Sequence, residues 1–273
     1  MVLNEQAIGV FDSGVGGLSV LSHIHARLPD ERLLYLADSA FMPYGCKSAL
    51  VVKDRCLDIA AFFAEQQCKA LVVACNTATA VAIHHLRARY NFPIVGMEPA
   101  VKPAVAHSRN GVVGILATHG TLGSGKFQRL KQRFAADAQL IVQACPGLVE
   151  LIERGDLDSA VMGSMLQSFL QPLIQQRIDT LVLGCTHYPF VAPLIREIVG
   201  EHVSIVDSGD AIACELQRQL QQRQLLATGR ALTDHASIKT DAVAFWCSGE
   251  ARETAALMSR LWGGLISPNK LSF

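Results

Sequence analysis

The chain has 273 residues, of which half are hydrophobic and 18% are charged, so it can form one large or two smaller packed domains. Lysine plus arginine equals aspartate plus glutamate at 24 each, and this zero net charge argues against nucleic acid or a membrane surface as a partner. No apolar run reaches the length of a membrane span, and residues 1–7 have neither the basic nor the apolar region of a secretory signal. These features predict a cytoplasmic protein that acts on a small molecule.

The first half of the chain alternates short apolar runs with helical patterns. Its predicted strands are residues 8–11, 32–37, 71–74 and 93–97. Its predicted helices are residues 18–28, 48–67 and 77–89. A glycine-rich turn, residues 12–17, connects the first strand to the first helix.

The second half repeats this alternation. Its predicted strands are residues 111–117, 139–144, 181–183, 203–206 and 243–247. Its predicted helices are residues 100–106, 125–134, 148–153, 159–176, 188–199, 210–225 and 250–262. The Gln-rich helix at 210–225 is expected to be mainly solvated. Residues 118–124 and 228–241 are predicted to be a polar turn and a loop or hairpin.

The order of these elements predicts an α/β fold with parallel sheets that are covered on both faces. An apolar run ending in a cysteine occurs at residues 71–75 and recurs at 181–185, about one ordinary domain length later. We therefore expect two similar lobes, each a mostly parallel sheet flanked by helices, with the active site in the cleft between them. The predicted lobes are residues 1–98 with 207–273, and residues 99–206.

The two matched cysteines are Cys75 and Cys185, and each follows a predicted strand and precedes a predicted helix. Ligands of parallel sheets bind at the carboxyl ends of strands, and the free N–H groups of a helix start favour anions and thiolates. The repeat therefore predicts two thiols that face one pocket. His187 lies two residues after Cys185, and a histidine in this position can shuttle the proton of a thiol.

The remaining cysteines do not indicate a metal site, because none of the eight cysteines forms a C-x-x-C pair. Cys145 is left open, since it ends a predicted strand just before Pro146. The others are expected to pack as small apolar groups, namely Cys46, Cys56, Cys68, Cys214 and Cys247.

Two glycine-rich segments invite a nucleotide-binding interpretation. Residues 14–17 lack the G-x-G-x-x-G spacing of a dinucleotide site, so we expect their N–H groups to hold a carboxylate, with Asp12 facing the pocket. Residues 120–127 match a P-loop except at Phe127, which stands where a hydroxyl must bind Mg²⁺. We interpret this segment as a glycine-rich helix start in which Thr118 and Thr121 offer hydroxyls to a carboxylate.

Two other enzyme classes stay open on these residues alone. A cysteine-dependent hydrolase needs one nucleophile and an oxyanion hole, which leaves the second matched cysteine without a role. A pyridoxal-phosphate enzyme needs a Schiff-base lysine and a phosphate cradle, and Lys126 is the lysine that lies in a suggestive loop.

Four motifs in order carry a family resemblance. They are FDSGVGG at residues 11–17, PYG at 43–45, ACNTA at 74–78 and GCTHYP at 184–189. Together they resemble the glutamate racemases, and the match runs through residues 206–208. The resemblance implies a cofactor-independent and metal-free enzyme that interconverts L- and D-glutamate and supplies D-glutamate for peptidoglycan synthesis. It also implies a homodimer. The alternative function is that of a racemase for a related amino acid such as aspartate.

The resemblance also assigns roles to residues. It implies that Cys75 and Cys185 are the two acid/base groups. Asp12, Asp38, His187 and Glu153 would assist proton movement, with Glu150 as a second candidate for the glutamate. The implied substrate-binding residues are Asp12, Ser13, Pro43, Tyr44, Gly45, Asn76, Thr77, Thr118, Thr121, Thr186 and His187.

Overall fold

The computed structural model describes residues 3–227 and 242–272. The chain divides into two compact units, of which the first is Met1–Met97 with Gly209–Phe273 and the second is Glu98–Ser208. The stretch 228–241, predicted to be a loop or hairpin, lies outside the described residues.

The strands and helices follow the predicted alternation. The strands are β1 (Ile8–Asp12), β2 (Leu33–Ala37), β3 (Ala70–Val73), β4 (Ile94–Gly96), β5 (Val112–Ala117), β6 (Gln139–Ala144), β7 (Thr180–Leu183), β8 (Ser204–Val206), β9 (Val243–Cys247) and β10 (Asn269–Lys270). The α-helices are α1 (Leu18–Arg27), α2 (Ala49–Glu65), α3 (Asn76–Arg89), α4 (Val101–His107), α5 (His119–Leu122), α6 (Gly125–Phe134), α7 (Leu148–Glu153), α8 (Ala160–Gln175), α9 (Ala192–Val199), α10 (Gly209–Gln222) and α11 (Ala251–Trp262). Short 3-10 helices lie at Leu3–Glu5, Tyr44–Cys46 and Tyr188–Val191.

The first unit is built on a six-stranded parallel sheet with the order β10-β9-β2-β1-β3-β4. Every residue of β1, β2 and β3 is buried, so both faces of the sheet centre are covered, as a parallel α/β sheet requires. Helices α2 and α3 pack together, and side chains such as Phe63 and Leu86 join Phe11 and Val73 of the sheet in one core. The predicted α/β class is confirmed in this unit.

The second unit has a four-stranded parallel sheet with the order β6-β5-β7-β8. Helices α8 and α9 pack against each other, and Leu166, Leu170 and Ile195 fill the core with Leu181 of β7. A second cluster, around Val101 and Ile115, lies with α4 and α6. Because β3 lies between β1 and β4, and β7 lies between β5 and β8, each matched cysteine follows an interior strand of its sheet.

Four elements differ from the sequence prediction. The helix predicted at 188–199 begins as the 3-10 helix, and α9 starts only at Ala192, since Pro189 and Pro193 cannot donate to the ladder. The polar turn at 118–124 contains α5. The Gln-rich α10 has a buried apolar face that packs against α1, so it is not mainly a solvated helix. Strand β10 was not predicted, because two exposed residues carry no strand pattern.

Candidate active site

Cys75 lies at the junction between β3 and α3. It is the N-cap residue of α3, with an extended backbone (φ −140°, ψ 123°), and its Sγ accepts a hydrogen bond from the N–H of Ala78 at 3.5 Å. Serine and other small polar residues usually fill this position, and here a thiol takes it. The side chain is buried with 6% exposure. The partial positive charge of the helix start therefore acts directly on the sulfur, where it stabilises a thiolate.

Asp12 and Ser13 lie beside Cys75, because β1 is the parallel neighbour of β3 and both strands end at the same edge. The Cys75 thiol donates to the Ser13 hydroxyl at 3.8 Å, and that hydroxyl donates to Asp12 Oδ1 at 3.4 Å. Asp12 Oδ2 accepts from the Gly17 N–H at 2.7 Å. The Gly17 N–H is thus taken by the side chain of Asp12, whereas the sequence analysis expected the N–H groups of this turn to hold a carboxylate in the pocket. Asn76 and Thr77 are buried in the first turn of α3.

The PYG motif presents Tyr44, while Pro43 and Gly45 are half-buried beside it. Tyr44 is buried and its hydroxyl donates to Asp38 Oδ2 at 2.5 Å. Burial, followed by the negative charge of Asp38, raises the pKa of Tyr44 far above its usual range. The phenol therefore stays protonated and can only donate to Asp38.

Arg55 is a buried polar residue that sequence reasoning missed. Its Nε donates to Asp38 Oδ2 at 2.8 Å and its Nη2 donates to Asp38 Oδ1 at 2.5 Å, while Ser248 Oγ donates to Oδ1 at 2.6 Å. A signal for Arg55 exists in the sequence, because it lies within the apolar face of α2, next to buried Cys56. A charged residue on such a face requires a buried partner.

Cys185 occupies the matching position in the second unit, two residues after β7 ends. Gly184 precedes it because the chain passes close to β5, where a Cβ on this glycine would lie 2.6 Å from the carbonyl oxygen of Leu116. The Sγ of Cys185 lies 3.7 Å from His187 Nδ1, and Thr186 Oγ1 lies 3.5 Å from the same nitrogen. The structure thus brings together the cysteine and histidine that the sequence predicted to share a pocket.

His187 connects Cys185 to a carboxylate. Its Nε2 lies 2.6 Å from Glu153 Oε1, and both side chains are buried. Burial by itself lowers the pKa of His187, but the hydrogen bonds to Cys185 and Glu153 outweigh it and raise the pKa well above the usual value. Of the two glutamates that the sequence left open, Glu153 is the one bonded to His187, whereas Glu150 is half-buried and its charge acts on Tyr188.

Two threonines stand at the end of β5, beside the end of β7. Thr118 caps α5, and its Oγ1 accepts from the N–H of Thr121 at 3.2 Å and donates to Thr121 Oγ1 at 3.1 Å. Thr121 is buried and Thr118 is half-buried. Because β5 and β7 are parallel neighbours, these hydroxyls and Cys185 lie at the same sheet edge.

Tyr188 and Cys145 are further neighbours of Cys185 that received no role from the sequence. Tyr188 is fully buried, and burial, followed by the charge of a Cys185 thiolate, raises its pKa well above the usual value. Burial raises the pKa of Cys145 to about 12, and its thiol donates to the carbonyl of Gln143 at 3.6 Å. Cys145 is therefore a protonated packing group at neutral pH.

The P-loop interpretation fails on the structure. Phe127 is buried with 3% exposure among Val101, Val113 and other apolar residues, so this position supplies core packing instead of a metal-binding hydroxyl. Lys126 is paired with Glu98 at 3.0 Å, and Ser124 caps α6 through the N–H of Phe127. The segment is a helix start, as the sequence analysis preferred.

The other cysteines mostly behave as predicted. Cys56, Cys68 and Cys247 are buried and Cys214 is half-buried. The prediction was wrong for Cys46, which is exposed because it lies in the short 3-10 helix of the surface loop after β2. Within residues 3–227 and 242–272, no group of three or more His, Cys, Asp or Glu side chains is arranged to hold a metal ion. Among the helices described in this structure, none has the length and apolar character to cross a membrane.

The comparisons with known proteins agree on one family. A model of the Asp/Glu/Hydantoin racemase family matches residues 8–216. The chain belongs to this family. A curated family relative, a glutamate racemase from Pseudomonas aeruginosa, is 52% identical over 272 residues, which covers 99% of both chains.

Solved structures of glutamate racemases share the fold. One from Bacillus anthracis superposes with a TM-score of 0.88 at 32% identity and covers 99% of this chain and 98% of that one. One from Escherichia coli, in complex with L-glutamate and the activator UDP-MurNAc-ala, has a TM-score of 0.83 at 33% identity and covers 98% of each chain. The two-lobed α/β arrangement of parallel sheets and flanking helices is thus that of the glutamate racemases.

Proposed function

We propose that this protein interconverts L- and D-glutamate by removing the α-proton and returning it on the opposite face, with two cysteines as the bases and no cofactor. The supporting comparisons are a relative named glutamate racemase at 52% identity over nearly the full chain and a structural neighbour that binds L-glutamate. We propose that the lobes of this enzyme are residues 1–98 with 207–273 and residues 99–206, bounds that lie within two residues of the two compact units.

One observation carries the proposal, namely the repeated placement of Cys75 and Cys185. Each thiol stands at the carboxyl end of an interior parallel strand, and each lies beside a series of polar side chains that leads to a buried carboxylate. A cysteine-dependent hydrolase would use one of these thiols and leave the other without a role. A racemase needs both, because inversion requires one group to take a proton and another to give one.

The reaction requires the site to stabilise negative charge on the substrate. Removing the α-proton moves negative charge onto the α-carboxylate, and without pyridoxal the protein itself must stabilise the resulting enediolate. Preorganised donors in a water-poor site do this well. The side chains of Ser13, Asn76, Thr77 and Thr186 are buried next to the cysteines and carry suitable donors. Thr118, Thr121, Tyr44, Pro43 and Gly45 complete the proposed substrate site.

Each cysteine has its own route for the proton. On the Cys75 side, the thiol donates to Ser13, which donates to Asp12. On the Cys185 side, a protonated His187 donates through Nδ1 toward the sulfur and through Nε2 to Glu153. At any moment one sulfur is a thiolate and the other a thiol, and the two exchange states with each turnover. We propose that Asp12, His187 and Glu153 determine which of the two sulfurs carries the proton.

The cellular role follows from the product. D-Glutamate is a building block of peptidoglycan, and we propose that this enzyme supplies it in the cytoplasm as a homodimer that needs neither a metal nor a nucleic-acid partner. The balanced composition of 24 basic and 24 acidic residues fits a small charged substrate that is recognised by local contacts instead of by a broad surface field.

The test is turnover of single enantiomers by the purified protein. L-Glutamate and D-glutamate should each be converted to the racemate, followed by circular dichroism, with one deuterium incorporated at the α-carbon in deuterated water. Aspartate, one methylene shorter, should react poorly because its α-carbon is misplaced when its side-chain carboxylate is bound. Comparable kcat/KM for glutamate and aspartate would assign a broader amino-acid racemase, and no turnover of either would refute the proposal.

A further inference from the structure

The carboxylate of Asp38 is the centre of a buried polar cluster in the first unit. Oδ2 accepts from the Tyr44 hydroxyl at 2.5 Å and from Arg55 Nε at 2.8 Å. Oδ1 accepts from Arg55 Nη2 at 2.5 Å and from Ser248 Oγ at 2.6 Å. Asp38 is completely buried and Arg55 is 8% exposed. We name Asp38, Arg55 and Ser248 the anchor cluster.

The four donors fill the capacity of this carboxylate. An ionised Asp has two oxygens with about four acceptor sites, and the fork of Arg55 with the two hydroxyls occupies them all. A further donor could reach Asp38 only by displacing one of these four. A group in this state is suited to hold its neighbours in place, and it is poorly suited to pass protons during turnover.

The anchor cluster holds the loop that carries the PYG motif, which we name the substrate loop (residues 39–47). At its start, the Phe41 N–H donates to the carbonyl of Asp38 at 3.0 Å, and the guanidinium of Arg55 lies 4.2 Å from the centre of the Phe41 ring. At its middle, Tyr44 is fixed by its hydroxyl. Arg55 thus supports the substrate loop both through Asp38 and by direct contact with Phe41.

The C-terminal segment supports the same loop from the other side. Ser248 Oγ also accepts from the Ala40 N–H at 3.1 Å, and the Gly249 N–H donates to Ser39 Oγ at 3.0 Å. A Cβ on Gly249 would lie 2.6 Å from Ser39 Oγ, so a larger residue at this position would displace the Ser39 side chain. These two residues lie after β9, beyond the region 8–216 that the family model matches.

We propose that Arg55 and Ser248 are positioning residues which, through Asp38, hold Tyr44 and the substrate loop in the conformation that binds substrate, and that Asp38 is a structural acceptor instead of a proton carrier. This role differs from the proton transfer that the family resemblance implied for Asp38. The inference rests on the proposed racemase function, and it assigns a task in substrate binding to the segment after residue 216.

Ser248 is the residue to change, because an Arg55 variant removes the ion-pair partner of the buried Asp38 carboxylate, at a cost of about 3–5 kcal/mol in stability. Ser248→Ala removes two hydrogen bonds of a half-buried side chain and leaves the Arg55 pair intact. Ser259→Ala is the matched control. Ser259 is also half-buried in the C-terminal segment and also makes bonds there, to Ala255 and Ile266, without touching the anchor cluster.

The expected readout is a separation of KM from kcat for glutamate. Ser248→Ala should raise KM about three- to tenfold for both enantiomers, the effect of losing about one net hydrogen bond, with kcat within about twofold of wild type. Ser248→Thr should restore most of the affinity, and Ser259→Ala should keep the wild-type KM. Adding Ser248→Ala to Tyr44→Phe should raise KM no further than Tyr44→Phe alone, because both changes act through one connection.

Two results overturn the inference. They are an unchanged KM in Ser248→Ala and, in the double variant, a KM raised by the product of the two single effects. A KM that is unchanged while kcat falls at least tenfold would return Asp38 to proton transfer. Failure of the wild type to racemise glutamate would instead refute the proposed function, and the inference would fall with it.

Discussion

The pair formed by His187 and Glu153 gives the sharpest prediction for a single substitution. Glu153→Gln keeps the size of the side chain and can still accept a hydrogen bond, but it removes the negative charge 2.6 Å from Nε2 of a buried imidazole. The pKa of His187 is raised because hydrogen bonds to Cys185 and Glu153 outweigh the effect of burial. Without the charge of Glu153, less remains to offset the lowering of the pKa by burial, so the pKa of His187 should fall.

The size of the fall follows from the charge that is lost. A hydrogen bond to a charged group contributes about 1.5–3 kcal/mol and charged pairs are roughly twice as strong as neutral ones, so protonated His187 should lose about 1 kcal/mol of stabilisation. Protonated His187 stabilises the fold below the unfolded value of about 6.5, and this contribution is lost as pH rises through the folded value. The difference in free energy of unfolding between wild type and variant should therefore be largest at pH values below about 6.5, where the variant is the less stable.

The assay is a titration of the histidine Cε1 signals by NMR, with the His187 signal assigned by its absence in His187→Gln. The kcat/KM profile against pH should shift with it, equally for L- and D-glutamate, because the equilibrium constant of a racemisation is one. Glu150→Gln is the control, since Glu150 lies one turn earlier in α7 and is not bonded to His187. An unchanged pKa in Glu153→Gln, or an equal fall in Glu150→Gln, would refute the reasoning.

Three further predictions test the thiols, the cofactor and the core. Cys75→Ala and Cys185→Ala should each fold and lose racemisation, by at least the ~10²–10⁴-fold typical of an acid/base group. Residual α-hydrogen exchange, followed by mass spectrometry, should favour L-glutamate in Cys75→Ala and D-glutamate in Cys185→Ala. Near wild-type turnover in either variant would make that cysteine a packing residue. Exhaustive chelation and dialysis should leave full activity, whereas activity that is lost and then restored by zinc or pyridoxal phosphate would contradict the two-thiol chemistry. Phe127→Thr completes the P-loop pattern, but it should lower the free energy of unfolding in urea by about 3–5 kcal/mol and create no binding of ATP by calorimetry.

The sequence by itself determined the order of the elements and the location of both cysteines. These features depend on neighbours along the chain, since an apolar run of four residues bounded by polar ones marks a buried strand and the following pattern marks a helix. For that reason β7 ends where predicted and β3 ends within one residue of the prediction, and Cys75 and Cys185 stand at the junctions that follow them. The histidine two residues after Cys185 was found for the same reason.

Only the tertiary structure decided which distant groups meet. Glu150 and Glu153 are one helical turn apart, so the sequence offers both, and the seating of α7 against the segment after β7 selects Glu153 for His187. Arg55 and Ser248 are 17 and 210 residues from Asp38, and no local pattern pairs them. The period of the apolar residues in a helix or strand indicates which face of that element is buried. The partner of that face is set by packing of the whole sheet and its helices, and therefore by residues far away in the chain.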